Sequence, residues 1–322
     1  MSLLASWLAS PPLDAAIEIA PEAVSIAVLG GRGQNAVVQG YAVEPMPSGA
    51  VVPSLMTVNM PDRDVVVRAL RTACESVGVR PRRVALVVPD LVGKVSLVRF
   101  DQTPARRDDL DQLIRWQMKK STPFPVEDAC VTYSPGARGA DGNGNEFVVV
   151  AARREVVREY ESVCEETGIE AGLVDLATFG VVNLFLSSEP AANGDWLVVH
   201  MRPEYTSIVI LRREDLIFFR NRAEGDEEAL QDVVHQTAMY YQDRLGGRGF
   251  SRILLGGLGK TPGAVDMARR NLEEHMGALV EPIDPTRGAA LTDRIQPTPE
   301  LMATLSPLVG MLLRTRREAV TV

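Results

Sequence analysis

The sequence predicts an α/β protein made of two similar lobes, each read β-β-β-α-β-α, with a small α+β module inserted into the first. Three observations predict it. First, Pro21-Glu22-Ala-Val-Ser25-Ile26-Ala-Val-Leu29 matches Pro203-Glu204-Tyr-Thr-Ser207-Ile208-Val-Ile-Leu211 without a gap, at an offset of 182 residues. Second, each copy follows a short apolar run (15–19 and 196–200) and precedes a third strand-like run (35–43 and 215–219) rich in β-branched and aromatic residues. Third, each triplet is followed by a helical stripe and then another apolar strand. The 322 residues also suit about two domains, at roughly 100–200 residues each.

The first helix has Asp62 as its N-cap, the stripe Val65, Val66, Ala69, Leu70, Ala73 and Val77, and Gly78 at its C-terminal cap. The strand 83–88 follows it. In the second half the stripe is Leu230, Val233, Val234, Thr237, Ala238 and Tyr241, ending near Gly246-Gly247, before the strand 252–255. Thr261-Pro262 and Thr298-Pro299 each offer a capping hydroxyl and a proline at the first helical position. The last helix carries Leu301, Met302, Leu305, Leu308, Val309, Leu312 and Leu313, with a kink expected at Ser306-Pro307.

Residues 90–175 read as an inserted β-α-β-β-α-β module. Its strands begin with 95–100. Thr103-Pro104 opens a helix with Leu110, Leu113, Ile114 and Gln117 on one face, leaving Trp116 and Met118 off that stripe. Two strands near 129–133 and 146–150 flank Asp141-Gly142-Asn143-Gly144, a strong hairpin-turn signal. A helix with Val156, Val157, Tyr160, Val163 and Cys164 ends at Gly168. The expected division is a first lobe of 13–89, 176–190 and 298–318, the module at 90–175, a second lobe of 191–297, and an N-terminal extension of 1–12.

Composition narrows the functional classes. A net charge of −8 argues against nucleic-acid binding, which needs a basic footprint. No run reaches the ~18–20 apolar residues of a membrane span. Cys74, Cys130 and Cys164 are isolated and odd in number, which suggests a reducing compartment without disulfides. The three histidines, His200, His235 and His275, lie far apart with no metal-ligand spacing. There is no Gly-x-Ser-x-Gly to support a serine hydrolase. Leu3, Leu4, Trp7 and Leu8 recur at helical spacing, but no lysine or arginine precedes Arg32 to attract anionic lipid. That segment is therefore expected to dock on the protein or a neighbour, or to stay disordered, with interfacial anchoring as the alternative.

The segment Asp108-Asp-Leu-Asp-Gln-Leu-Ile-Arg-Trp-Gln-Met-Lys-Lys-Ser-Thr-Pro-Phe-Pro125, followed by Glu127-Asp128 and Tyr133, resembles the type IV pilus assembly protein PilM family. So do Val234-His-Gln-Thr-Ala-Met-Tyr-Tyr241 and Leu308-Val-Gly-Met-Leu-Leu-Arg314. The resemblance covers nearly the whole chain. It implies an actin-like (ribonuclease H-like) fold, related to the division protein FtsA, with an SHS2-type insert. It also implies a cytoplasmic scaffold, peripheral to the inner membrane through its partners. Those partners are the N-terminal tail of a PilN-like inner-membrane protein, the pilus platform and the motor ATPases, with self-association as a further expectation. The expected groove residues are Phe100, Trp116, Met118 and Phe124.

The family pattern also implies ATP and Mg²⁺ between the lobes, held by an Asp-x-Gly turn in each hairpin and by a glycine loop. Here the turns read Glu18-Ile19-Ala20 and His200-Met201-Arg202, and each continues Pro-Glu. Proline has no N–H to offer a phosphate. Glu22 and Glu204 bring negative charge, and two like charges ~4 Å apart cost roughly 4 kcal/mol at an effective dielectric of about 20. Glu18 keeps a carboxylate, Arg202 a guanidinium, and Gly256-Gly257-Leu258-Gly259 keeps the glycine loop. The expectation is a degenerate cleft with no cofactor and no enzymatic activity. The alternative is an ATP-binding or weakly ATP-hydrolysing relative whose nucleotide state regulates partner binding or polymerisation. There His200 would be the nearest candidate base, although a lone strand-end histidine is more often structural.

Overall fold

The computed structural model describes residues 12–31, 35–138, 144–188, 194–223 and 230–321. In chain order the elements are β1 (Ala15–Ile19), β2 (Ala23–Gly30), β3 (Val37–Pro45), α1 (Arg63–Val77), β4 (Arg83–Val88), β5 (Gly93–Phe100), α2 (Arg107–Met118), β6 (Ala129–Arg138), β7 (Asn145–Arg153) and α3 (Arg154–Glu166). They continue with β8 (Glu170–Leu176), α4 (Ala177–Ser188), β9 (Asp195–Met201), β10 (Tyr205–Arg212), β11 (Asp215–Ala223), α5 (Leu230–Leu245), β12 (Phe250–Gly257), α6 (Ala264–Met276), β13 (Val280–Pro282), β14 (Ala290–Leu291) and α7 (Pro299–Thr321). The chain divides into two compact units. The first holds Met1–Pro89, Val157–Pro190 and Ile283–Val322, and the second holds Asp90–Val156 and Ala191–Pro282.

The first unit is built on a sheet of order β14-β3-β2-β1-β4-β8. β2 is antiparallel to both neighbours, while β1, β4 and β8 run parallel. α1 starts where the Val65 N–H donates to Asp62 Oδ1 at 3.4 Å, and it ends at Gly78 with φ +71°. Its buried face is Val66, Val67, Ala69, Leu70, Ala73 and Cys74, so Val65 and Val77 are rotated off the expected stripe. α4 and α7 pack closely because both carry glycine at the crossing. A Cβ on Gly180 would lie 2.4 Å from the Pro307 carbonyl oxygen, and one on Gly310 would lie 1.9 Å from that of Gly180. α7 runs on through Pro307 without a break. The Ser306 hydroxyl donates to the Met302 carbonyl at 2.7 Å, one turn back.

The second unit holds a sheet of order β11-β10-β9-β12-β13. Its strand order and directions repeat those of β3-β2-β1-β4-β8. The register repeats too. Glu18 faces Ser25 and, 182 positions on, His200 faces Ser207. Even the β-bulge recurs, between Val28 and Leu29 and between Ile210 and Leu211. The duplication is therefore preserved in backbone geometry. Leu197, Val199, Ile208, Ile210, Ile253 and Leu255 of this sheet form a core with Val233, Val234 and Tyr241 of α5 and Leu272 of α6. Tyr241 also closes the turn after its own helix. Its hydroxyl lies 2.7 Å from Asp195 Oδ2 and 3.0 Å from the Gly249 carbonyl. Arg212 grips the same carboxylate through Nε at 3.0 Å and Nη2 at 2.8 Å.

The same unit contains the three-stranded antiparallel sheet β5-β7-β6 with α2. Several boundaries differ from the sequence reading. Residues 170–176 pair with β4 and not with the inserted sheet. Residues 283–297 belong to the first unit, with β14 paired to β3. The Asp141–Gly144 turn lies mostly outside the described residues, although Arg138 still pairs with Asn145. Neither α2 nor α6 uses the expected threonine cap. α2 starts at Arg107, because the Thr103 hydroxyl instead accepts from Asn145 Nδ2 at 2.8 Å. α6 starts after Gly263, whose φ is +78°. Thr298 does cap α7, accepting the Leu301 N–H at 3.2 Å.

Candidate functional site

Each repeat brings its candidate phosphate residues to the end of its own first strand. In the first unit Glu18 and Ala20 are buried at the end of β1. The Ala20 N–H is committed to the Ala23 carbonyl at 3.1 Å, and position 21 is proline. In the second unit Arg202 is buried, its N–H donates to the Tyr205 carbonyl at 2.8 Å, and position 203 is proline. At both turns one backbone donor is used internally, and the proline that follows has no N–H to offer.

His200 is fully buried. Burial, and then the Arg202 guanidinium, push its imidazole down to about 3. It is neutral near pH 7, and a group of such low basicity is a poor general base there. Its register partners are Ser207 and Gly256. Ser207 in turn donates to the buried Asp90 carboxylate at 2.5 Å. The glycine loop has a packing reason of its own. Gly257 has φ +118°, and a Cβ there would lie 2.0 Å from the Met201 carbonyl oxygen. A Cβ on Gly259 would meet that of Ala264 at 2.6 Å. The second unit thus brings together His200, Arg202, Gly256 and Gly257, while Glu18 and Ala20 belong to the first.

A separate groove of about 680 Å³ lies in the inserted part of the second unit. One wall is the first turns of α2, with Arg107, Leu110 and Asp111 at i, i+3 and i+4 on one face. The other is β6, which contributes the consecutive residues Val131, Thr132 and Tyr133, then Pro135. Side chains alternate between the faces of a strand, so three consecutive lining residues mean that the strand edge itself forms the wall. β6 is the terminal strand of its sheet, and Pro135 suits such an edge because it gives no N–H. Burial, and then the Asp111 carboxylate, push the Tyr133 phenol up, against the opposing effect of Arg107.

The four expected groove residues are not the lining. Met118 and Phe124 are buried in the core of the module. Met118 lies one turn beyond buried Ile114 and so belongs to the helix stripe. Trp116 is 56% exposed, with the Lys120 ammonium 4.6 Å from its ring centre. Phe100 is half-buried against Phe147, whose ring does line the groove, at 6.1 Å. The proline at 135 inside a strand-like run was the sequence signal for a free edge. Arg107, Leu110 and Asp111 were legible as a helix face but carried no mark of a cavity.

Among the described residues no group of three or more His, Cys, Asp and Glu is placed to hold a metal ion. None of their helices is long and apolar enough to cross a membrane. The family described as type IV pilus assembly protein PilM matches residues 16–244. This chain belongs to the PilM family. In the PilM–PilN type IV pilus biogenesis complex a chain superimposes with TM-score 0.77 at 17% identity, covering 96% of this chain and 99% of that one. A protein of actin-like ATPase fold and unknown function from Bacteroides thetaiotaomicron gives TM-score 0.49 at 10% identity, covering 85% and 91%. The cytoplasmic domain of EpsL, an inner-membrane component of the type II secretion system of Vibrio cholerae, gives 0.46 at 12%, covering 96% and 94%.

Proposed function

We propose that this chain is a scaffold of type IV pilus assembly that holds the N-terminal tail of a PilN-like inner-membrane protein on the cytoplasmic side. The tail lies extended in the α2–β6 groove, pairing its backbone with the edge of β6 and placing alternate side chains against Leu110, Tyr133 and Phe147. The observation that carries this reading is the run of consecutive β6 residues along one wall, the geometry used when a peptide adds to a sheet edge. The platform and motor ATPases are further partners of the same scaffold. Calorimetry with a synthetic tail peptide tests the groove. Leu110→Asp and Thr132→Pro are expected to abolish binding, and bound peptide is expected to slow amide exchange at 131–134. Undiminished affinity in both variants would overturn the assignment.

Neither strand-end turn of this scaffold binds triphosphate, and the chain is not an ATPase. The committed donors at Ala20 and Arg202, with proline beside each, support this. A site with Kd of about 10 µM would add ~2.7 kcal/mol of stability at about 1 mM ATP. The expected result is an unchanged melting temperature with ATP and Mg²⁺. A clear binding isotherm at micromolar ATP would restore the nucleotide-regulated alternative.

A further inference from the structure

We infer that the loop from β3 to α1 is a lipid-contact surface, whose apolar tip seats in the hydrocarbon boundary of a bilayer and needs no anionic headgroup. The 17 residues from Pro45 to Pro61 include no charged side chain. Large apolar side chains of this loop face solvent. Val58 is 68% exposed, Val52 50% and Met56 39%, with Pro53 and Leu55 half-buried beside them. A cluster of this kind marks a contact surface.

The backbone of the tip says what covers it. Of the eight N–H groups from Val52 to Met60, six already donate within the first unit. Val52 donates to the Asn59 carbonyl at 2.7 Å and Ser54 to Asn59 Oδ1 at 2.9 Å. Met56 and Thr57 both donate to Ser54 Oγ at 3.2 Å. Asn59 and Met60 donate to the Glu159 carboxylate, and position 53 is a proline. The buried Asn59 side chain closes the tip, donating to the Ser54 and Thr57 carbonyls at 2.9 and 2.7 Å. The Tyr160 hydroxyl steadies it at 3.1 Å. A protein partner typically collects about one hydrogen bond per 100–200 Å² of interface, and this tip has few left to give. Hydrocarbon offers none, and it accepts backbone only where the polar groups are already satisfied. Because Asn59 and Glu159 fix the shape of the tip beforehand, little ordering is left to pay on contact. The charges that bracket the loop are the carboxylates of Glu44, Asp62 and Asp64, while Arg63 is held by Glu166 at 2.9 Å. Anionic lipid therefore adds no attraction. A few side chains of this size hold a protein on a membrane only weakly, and stable attachment takes a second signal. The tail proposed above would supply that signal, but the loop's own contact is measurable without it.

Flotation of the full chain with phosphatidylcholine vesicles, with no pilus partner present, tests the inference. At about millimolar lipid the wild type is expected to bind partly and reversibly. Raising the salt should leave binding intact, since no charge carries it, and adding phosphatidylglycerol should not increase it. Met56→Asp/Val58→Asp is expected to bind at least about tenfold more weakly. Its melting temperature should be unchanged, because both side chains are exposed. Val58→Trp is expected to bind several-fold more tightly, with its added indole quenched by brominated lipid. The inference is overturned if the wild type fails to float, if the double variant floats like wild type, or if binding vanishes at high salt. It is equally overturned if the indole at position 58 is not quenched, whatever the double variant does. A concentration-dependent dimer in sedimentation, abolished by the double variant and unaccompanied by vesicle binding, would overturn it in favour of a contact between two copies of this chain.

Discussion

Mild acid is expected to destabilise this protein through His200, by an amount that follows from its burial. Its imidazole is pushed down to about 3, by burial first and the Arg202 guanidinium second. In the unfolded chain an ordinary histidine titrates near 6.5. Between those values the unfolded state binds a proton that the native state refuses, so stability falls as pH falls below about 6.5 and is fully present above it. At pH 5.5 the unfolded imidazole is about nine-tenths protonated, and the integrated loss relative to pH 7.5 is about 1.4 kcal/mol. A folded unit of this size loses roughly 3–6 °C in melting temperature for that change. Glu146 works in the opposite direction, because burial pushes its carboxyl up and its contribution grows as the solution becomes acid. Melting curves of wild type and His200→Gln between pH 7.5 and 5.5 separate the two effects. The wild type should lose about 1.4 kcal/mol more than the variant over that interval. Parallel curves would refute the reasoning, since they would require a native imidazole that protonates as easily as a free one.

Tyr241→Phe removes the hydroxyl shared by Asp195 and the Gly249 carbonyl, while Arg212 still pairs with the carboxylate. A loss of about 1–3 kcal/mol is expected in urea unfolding. Gly257→Ala forces a Cβ toward the Met201 carbonyl at a positive φ, so it should cost at least about 1–3 kcal/mol with no nucleotide present. An unchanged melting temperature there would remove the packing explanation for that glycine. The Glu159 carboxylate accepts the Asn59 and Met60 N–H groups at 2.8 and 2.7 Å, holding the loop before α1. Glu159→Gln should speed amide exchange at 59 and 60 and leave β9 to β12 unaffected.

What the sequence revealed depended on how local each signal was. The duplication was legible because its residues hold equivalent places in both sheets, down to the bulge after Val28 and Ile210. The stripe on α5 was also legible, since Val233, Val234, Thr237, Ala238 and Tyr241 all face inward. Boundaries set by distant pairing were not. Nothing within 170–176 distinguishes a strand that pairs with β4 from one that pairs with β7. The groove was hidden for a similar reason, because Leu110 and Phe147 meet only through the fold. Trp116 attracted notice for its size, yet its ring is held by Lys120 on the surface of α2.

β4 and β8 are parallel neighbours in one sheet, and everything from Pro89 to Ile169 lies between them in sequence. The inserted part is thus an overgrown crossover of an ordinary β-α-β unit, with α3 as the original return helix. Such a splice point allows the inserted part to be enlarged, trimmed or exchanged without breaking a rung of the sheet that carries it.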